Sequence, residues 1–413
     1  MNELEKTIYN LVKKNPEVKN FIRDIYQRIL SFVPKKNKES NYDIIEREGY
    51  FYGFHDKIPW SKANNKLLAH KPLIENRIVK KGDLVEIGYF YGDNYTEFKN
   101  LETSKSWNWQ QGSMLQWLDK SENIIYNDWN GKKNIARIID TNGNQIKELE
   151  SPIGATSSDG KYALGYSFER LNVGMFGYGY PFENDSFRDE NIPRESGLKL
   201  IDIKNNDYEF LFSVKDIFDL ETSENMENAY HFFTHCLFSP NDNKFLFLHR
   251  WYRSGERLKT RLISYNINKK KLFIFPTNDM VSHFTWIDNN RVFAYANTKK
   301  NGDGYYIFQD KSNEYEYINN DIYSSDGHPQ YCKKNDLIVT DTYPDRFRIQ
   351  ELSVFDLNKN RKEIIAKLKS PLNYKEQIRC DLHPRWDRKG TQICFDSAHL
   401  GKRSLCTIKY KQD

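Results

Sequence analysis

Seven times between residues 44 and 411 the chain repeats one short pattern: a polar turn of Asp, Asn or Gly, often with a Lys, then four or five strand-forming residues. The copies are SKANNKLLAH (61–70), DKSENIIYND (119–128), SSDGKYALGY (157–166), SPNDNKFLFLHR (239–250), IDNNRVFAYA (287–296), KKNDLIVTDT (333–342) and DRKGTQICFDS (387–397). Each reads as a β-hairpin whose turn residues tolerate positive φ. Four are closely preceded by a tryptophan suited to packing between neighbouring sheets: Trp60, Trp117, Trp286 and Trp386. Seven units in this span average roughly 53 residues, close to one blade of a β-propeller. A chain of 413 residues is too long for one ordinary domain, and one large repeat architecture accounts for that length. A multi-sheet sandwich would not need seven similar hairpins. The repeat therefore predicts an all-β fold, a seven-bladed β-propeller over residues 44–411.

Residues 1–40 follow a different period. Leu4, Ile8, Leu11 and Val12 recur at helical spacing, as do Val18, Phe21, Ile22, Ile25, Ile29 and Phe32. Asn15 and Pro16 read as an N-cap and first helical residue, and Pro34 ends the run. The expectation is a basic N-terminal helical extension, packed on the main domain or a partner subunit, or lying on an anionic membrane surface. This segment holds nine Lys/Arg against five Asp/Glu, which supplies most of the chain's net charge of +5. The remainder is near neutral and has no nucleic-acid footprint. No apolar run reaches the roughly 18 residues that span a bilayer, and the N-terminus lacks the pattern of a secretory signal. The five cysteines form no CxxC pair. Together these features lead to the expectation of a cytoplasmic chain with free thiols.

The repeat also organises the histidines. In a blade the innermost strand starts at one face of the channel and the second strand returns to it. Residues about thirteen apart across such a hairpin should meet at one rim. This would pair His235 with His249, His283 with Tyr295 or Asn297, His328 with Asp341, His383 with Asp396, and His55 with His70. His231 and His399 lie just beside these positions. A single His at a strand start can simply satisfy a carbonyl between blades. Several converging on one mouth would form a cluster of imidazoles, carboxylates and Tyr, the kind of set that holds zinc or manganese. Arg250, Arg253, Arg346 and Arg385 lie beside the same rim and could bind carboxylates bidentately, or be ordinary ion-paired surface residues. The Gly- and aromatic-rich stretch 170–196 is too long for a plain hairpin. It reads as a loop over the channel mouth suited to stacking on sugar rings, or as a packing loop.

The motifs HFFTHCLFSPNDNKFLFLHRW (231–251), SHFTW (282–286), DGHPQY…TDTYPD (326–345) and CDLHPRWDRKGTQICFDS (380–397) resemble the propeller-fold polysaccharide lyases. These are the oligogalacturonate lyases and the long ulvan lyases. A group associated with bacterial surface-polysaccharide genes is the nearer match. The resemblance covers roughly residues 44–411 and is strongest in blades four to seven. It implies cleavage of uronate-containing glycans by β-elimination and a bound divalent metal.

Eliminating across C4–C5 of a uronate requires neutralising its carboxylate, removing the C5 proton and protonating the leaving O4 oxygen. Arg or a metal suits the first task. His or Tyr suits the other two. By the resemblance, His235, His249 and Tyr295 match the catalytic residues: His235 as base, Tyr295 as base or acid, His249 in orientation. His283, Arg250, Arg346 and Arg385 are then expected to contact substrate. His328 and His383, with Asp341 or Cys394, are the expected metal ligands. Two other classes remain open at this stage, a non-lytic sugar transferase or modifying enzyme of capsule or lipopolysaccharide assembly, and a propeller scaffold without catalysis. A polar rim argues against the scaffold, since protein-binding surfaces favour aromatic hot spots.

Overall fold

Every one of the seven hairpins forms, and each becomes the inner half of its own antiparallel sheet. In this computed structural model, which describes residues 27, 28, 30, 34–118, 121–318 and 325–411, seven sheets of three to five strands follow one another in chain order. The protein is a seven-bladed β-propeller. Blade four shows the plan: an inner strand Tyr230–Phe238, then Lys244–Tyr252, Lys259–Asn266 and an outer Lys271–Ile274. The repeated polar turns join first and second strands. Asn64, Asp242 and Asp336 occupy the left-handed region there, at φ 60°, 59° and 59°, and Gly160 and Gly390 stand at the equivalent points. Asn, Asp and Gly recur because they enter that region at least cost.

The hydrophobic core is a ring of contacts between blades rather than one central mass. Leu246, Leu248 and Leu262 of blade four pack with Val292, Ala294 and Tyr306 of blade five. Phe293 and Tyr305 of blade five in turn meet Ile338 and Phe355 of blade six. A sheet covered on both faces explains why Phe245, Leu246, Phe247 and Leu248 are all buried without alternation. The tryptophans that precede the hairpins lie in these seams. Trp117 donates to the carbonyl of Pro59 in the preceding blade at 2.8 Å, and Trp286 does the same to Leu237 at 3.3 Å.

Blade seven closes the ring by pairing a strand that precedes the other six blades with strands that follow them. Its inner strands are Arg385–Trp386, Gln392–Ser397 and Ser404–Lys409, and its outer strand is Ile44–Glu48, with Ile44 opposite Ile408 and Glu48 opposite Ser404. Just before it, Lys38–Ser40 adds a fifth strand to blade six beside Arg361–Lys369. Residues 38–40, read from sequence as the end of the helical unit, thus belong to the ring. Gln27, Arg28 and Leu30 are helical, and the helical pattern expected over residues 1–26 lies outside the described residues.

The insertion in blade three carries a short helix, Phe168–Gly174, capped by the Ser167 side chain, which accepts from the Arg170 amide. Several of its aromatics pack inward, while Phe176 is exposed. Tyr180 stacks on Phe168 with ring centroids 4.4 Å apart, and Phe182 on Trp129 at 4.0 Å. Arg170 is buried beneath them and donates to the His231 carbonyl at 2.6 Å. Tyr178 of this stretch lies 6.5 Å from the ring of His235, and Met175 Sδ accepts from Arg250 at 3.2 Å.

Candidate active site

Five imidazoles from five blades meet around the ring of Phe54: His55 from blade one, His235 from four, His283 from five, His328 from six and His383 from seven. Successive rings lie close, with His235 to His283 at 6.0 Å, His283 to His328 at 4.2 Å and His328 to His383 at 4.2 Å between centroids. All five are buried. Two are held at a backbone cost, since His235 has φ 55° and His383 φ 44°, in the left-handed region that non-glycine residues seldom occupy. Strain of this kind persists where surrounding structure imposes it, and it gathers at functional sites. In blade four the cause is visible, because strand pairing shifts register between Thr234 and Leu237 and turns His235 into the channel.

Hydrogen bonds hold three of the rings by Nδ1 and leave Nε2 with its lone pair. His328 Nδ1 donates to Asp341 at 2.8 Å, His283 Nδ1 to Asp326 at 3.2 Å, and His55 Nδ1 to the Pro329 carbonyl at 2.8 Å. This second-partner arrangement is the one that orients metal-ligating histidines. Asp341 is fully engaged: it also accepts from the amides of His328 and His383, at 2.7 and 3.1 Å. The backbone can approach so closely because residue 327 is glycine, where a Cβ would collide with the Asp341 carbonyl.

His328, His383 and Asp381 each present a ligand atom, all within 4.8 Å of one another. His328 Nε2, His383 Nε2 and Asp381 Oδ1 are buried and without a hydrogen-bond partner. Unsatisfied buried polar atoms cost free energy, and three facing one point fit a divalent cation. Two imidazoles and a carboxylate suit zinc or manganese.

Charge around the cluster is arranged by Arg250, Arg379 and Asp326. Burial, reinforced by Arg250, pushes His235 well below its usual range and keeps it neutral. Its Nδ1 is 2.6 Å from the Thr234 hydroxyl, while Nε2 has no partner. Burial alone would lower His328 too, but the carboxylates of Asp341, Asp381 and Asp326 together outweigh it and raise that pKa. Arg379 donates to Asp381 at 2.5 Å and to the Tyr178 hydroxyl. Tyr343 stands 5.4 Å from His328 and 6.4 Å from His283, its phenol raised well above 10 chiefly by burial.

Of the residues singled out from sequence, His235, His283, His328, His383 and Arg250 come together, with Asp341 behind them as an orienting group rather than a free ligand. His249 does not join them. The register shift at His235 places His249 opposite Phe233, where its Nε2 is 2.9 Å from His231 Nδ1 and its Nδ1 accepts from Arg261 at 3.0 Å. Tyr295 lies edge-on to Tyr305 at 5.1 Å and touches none of the five rings among the described contacts; burial and Asp326 push it up to about 12. Arg346 is exposed and stacks on Phe347 at 5.0 Å. Arg385 is fully buried, paired with Asp396 at 2.8 Å and bonded to the carbonyls of Gly53 and Phe54, so it holds the segment bearing Phe54 and His55. Cys394 lies 3.5 Å from Arg385 Nη1, away from the metal-ligand group. His55, expected at the rim, joins the cluster, whereas His70 bonds Ser113 and the Tyr52 carbonyl instead; the residues not assigned from sequence are Phe54, Asp326, Asp381, Arg379, Tyr178 and Tyr343. One signal for two of them was available, because Asp326-Gly327-His328 and Asp381-Leu382-His383 repeat the spacing Asp-x-His.

Comparison with known proteins returns neither a matching protein-family model nor a matching curated sequence. Solved structures do match. An oligogalacturonate lyase in complex with manganese superposes with a TM-score of 0.62 at 12% identity, covering 92% of this chain and 99% of the other. The oligogalacturonate lyase of Vibrio parahaemolyticus gives 0.61, again at 12% identity and the same coverage. At that identity the likeness shows the fold, a seven-bladed propeller of the kind those lyases use.

Proposed function

We propose that the protein is a carbohydrate-active lyase that cleaves a uronate-containing oligo- or polysaccharide by β-elimination at the histidine cluster. The observation that supports this most is the set of buried, unpartnered atoms in the channel: His235 Nε2 beside the ligand trio of His328, His383 and Asp381. His235 would take the C5 proton on Nε2, being neutral and held by Thr234 through the other nitrogen. Arg250, whose Nη2 donates to the Ser282 carbonyl at 3.3 Å while Nε has no partner, would face the negative charge that develops on the uronate. Tyr343, beside His328 and His283, would give its phenol proton to the leaving O4. A divalent ion, when bound by His328, His383 and Asp381, supplies Lewis-acid neutralisation of the substrate carboxylate. His283 orients between Asp326 and the central rings and would contact the sugar.

The test is direct. The protein, supplied with manganese or zinc, is incubated with pectic and ulvan-type oligouronates, and formation of the unsaturated uronate is followed by its ultraviolet absorbance. Lyase activity predicts that chromophore in step with new reducing ends. Reducing ends without the chromophore would make the protein a hydrolase and overturn the mechanism.

A further inference from the structure

Blade three gives the cluster no imidazole, but its insertion touches two guanidiniums beside it. Met175 Sδ accepts from Arg250 Nη1 at 3.2 Å, and three residues on the Tyr178 hydroxyl accepts from Arg379 Nη2. Arg250 belongs to blade four and Arg379 to the loop that leads into blade seven, so one short stretch meets charges from separate blades. The tip of the insertion is firmly seated. Asn108, at the entry to blade two, donates from Nδ2 to the carbonyls of Tyr178 and Gly179, at 2.8 and 3.3 Å. Gly177 adopts φ 87° and lies so close to Gln377 that a Cβ there would come within 2.7 Å of its side chain.

Arg379 decides which oxygen of Asp381 is left open. Its Nε donates to Asp381 Oδ2 at 2.5 Å, whereas Oδ1 is buried without a hydrogen-bond partner and Asp381 stands in the trio with His328 and His383. The backbone of this loop is secured without help from Tyr178. Gln110 Nε2 donates to the Gln377 and Arg379 carbonyls at 3.2 and 3.1 Å, and Arg403 Nη2 to those of Ile378 and Arg379 at 3.0 and 2.9 Å. The guanidinium has less to fix it. Besides Asp381 and the Tyr178 hydroxyl it has a long bond to the Glu376 carbonyl at 3.4 Å and the rings of Tyr178 and Tyr343, at 5.5 and 5.6 Å. Removing the hydroxyl would therefore loosen the fork of Arg379 while leaving every charge at the site in place. A carboxylate already oriented by a fixed donor loses no rotational freedom when it takes up a cation, which is what outer partners give a metal ligand.

We infer that Tyr178 is a positioning residue: acting through Arg379, it holds Asp381 by Oδ2 and keeps Oδ1 turned to His328 and His383, so that the blade-three insertion sets the affinity of the trio for a divalent ion. This rests on the reading of the trio as a metal site. Affinity for manganese is measured on the full chain by competition with a chelator. Tyr178→Phe should weaken it roughly three- to tenfold. Tyr180→Phe removes a hydroxyl from the same insertion, where it accepts from Asn127 at 2.9 Å, and should leave the affinity unchanged. Arg379→Lys keeps the charge but cannot span both partners as the fork does, and should weaken binding about 10–100-fold. Adding Tyr178→Phe to Arg379→Lys should then cost nothing further, because the tyrosine has lost the group it acts through. Melting temperature checks that each variant folds; should Arg379→Lys fail to, the comparison of Tyr178→Phe with Tyr180→Phe decides. Unchanged affinity in Tyr178→Phe, or an equal loss in Tyr180→Phe, would overturn the positioning role and leave the metal site standing. Losses that multiply in the double variant would rule out action through Arg379. A wild-type protein that takes up neither manganese nor zinc would sink both the role and the metal site.

Discussion

One hairpin of blade four holds three histidines put to two opposite uses. His231 and His249 form a closed chain: Arg261 donates to His249 Nδ1, His249 Nε2 donates to His231 Nδ1, and His231 Nε2 donates to the Met226 carbonyl at 2.8 Å. Trp251 stacks beside both, 6.1 Å from His231 and 5.3 Å from His249. Every ring nitrogen is satisfied, and neither ring has an atom to offer a ligand. His235, a few residues away in the same strand, has an empty Nε2, a left-handed backbone and four imidazoles for company. Both groups are buried and both are neutral. What distinguishes a site from a brace here is the atom left without a partner, not the residue type or its burial.

The contrast can be broken most sharply at turnover. His235→Ala should lower the rate of unsaturated-product formation by roughly 10²–10⁴-fold, the usual contribution of a positioned base. His249→Ala should leave that rate intact in the folded protein and instead lose about 1–3 kcal/mol of stability, because Arg261 and His231 would each face an unmade bond. Equal losses of rate in the two variants would erase the distinction.

The closed chain should next show itself in the pH dependence of stability. Burial holds His231 at about 4, against 6.5 for a free imidazole, so below pH 6.5 the unfolded chain binds a proton that the folded chain refuses. Stability is therefore greatest above pH 6.5 and falls as pH drops towards 4. His231→Gln cannot titrate, and denaturant unfolding at pH 7 and pH 4 should show its loss reduced by up to about 3 kcal/mol relative to wild type. An identical acid loss in both proteins would mean that His231 is not held neutral.

On the open side, Asp341→Asn keeps the shape behind His328 and His383 but removes the charge that orients them. Affinity for manganese or zinc, read by competition with a chelator, should weaken about 10–100-fold. Bound metal should be close to one per chain in wild type and absent from the double variant His328→Ala, His383→Ala. A trio that holds no metal in either protein would return these rings to the category of the brace. The smallest effect is expected at Arg346→Ala, which should change stability by less than about 0.5 kcal/mol, since its only described aromatic partner is at the surface.

The fold was legible because the sequence marks each hairpin with a polar turn, and in five blades that turn takes positive φ. Asn64, Asp242, Asp336 and the two glycines are chosen by a local rule, positive φ, that needs no knowledge of the rest of the molecule. The site was legible only as far as the blade period carries. His283, His328 and His383 sit at strand starts and could be aligned by counting, and the tie from His328 to Asp341 follows from hairpin pairing. His249 could not be placed, since one shift of register in blade four redirects every side chain beyond it. Tyr178, Tyr343 and Arg379 come from loops whose course depends on several blades at once, and no periodicity announces them. Lys38–Ser40 escaped notice for a similar reason: a three-residue strand declares itself only by the edge it joins.

Closure of the ring has a consequence for how the chain acquires its shape. The outer strand of blade seven precedes the other six blades in sequence, and its partner Ser404–Lys409 follows them. Arg47 bridges the same interval, contacting Thr407 at 3.2 Å across 360 positions and the carbonyl of Tyr95 at 2.5 Å. Blades one to six can assemble from neighbouring sequence, but the seam between first and last blades needs Ser404–Lys409 in place. Until then Ile44–Glu48 exposes an unpaired strand edge, open to pairing with another chain. Ring closure therefore hangs on one pairing between segments far apart in sequence, the slowest kind of contact for a chain to find.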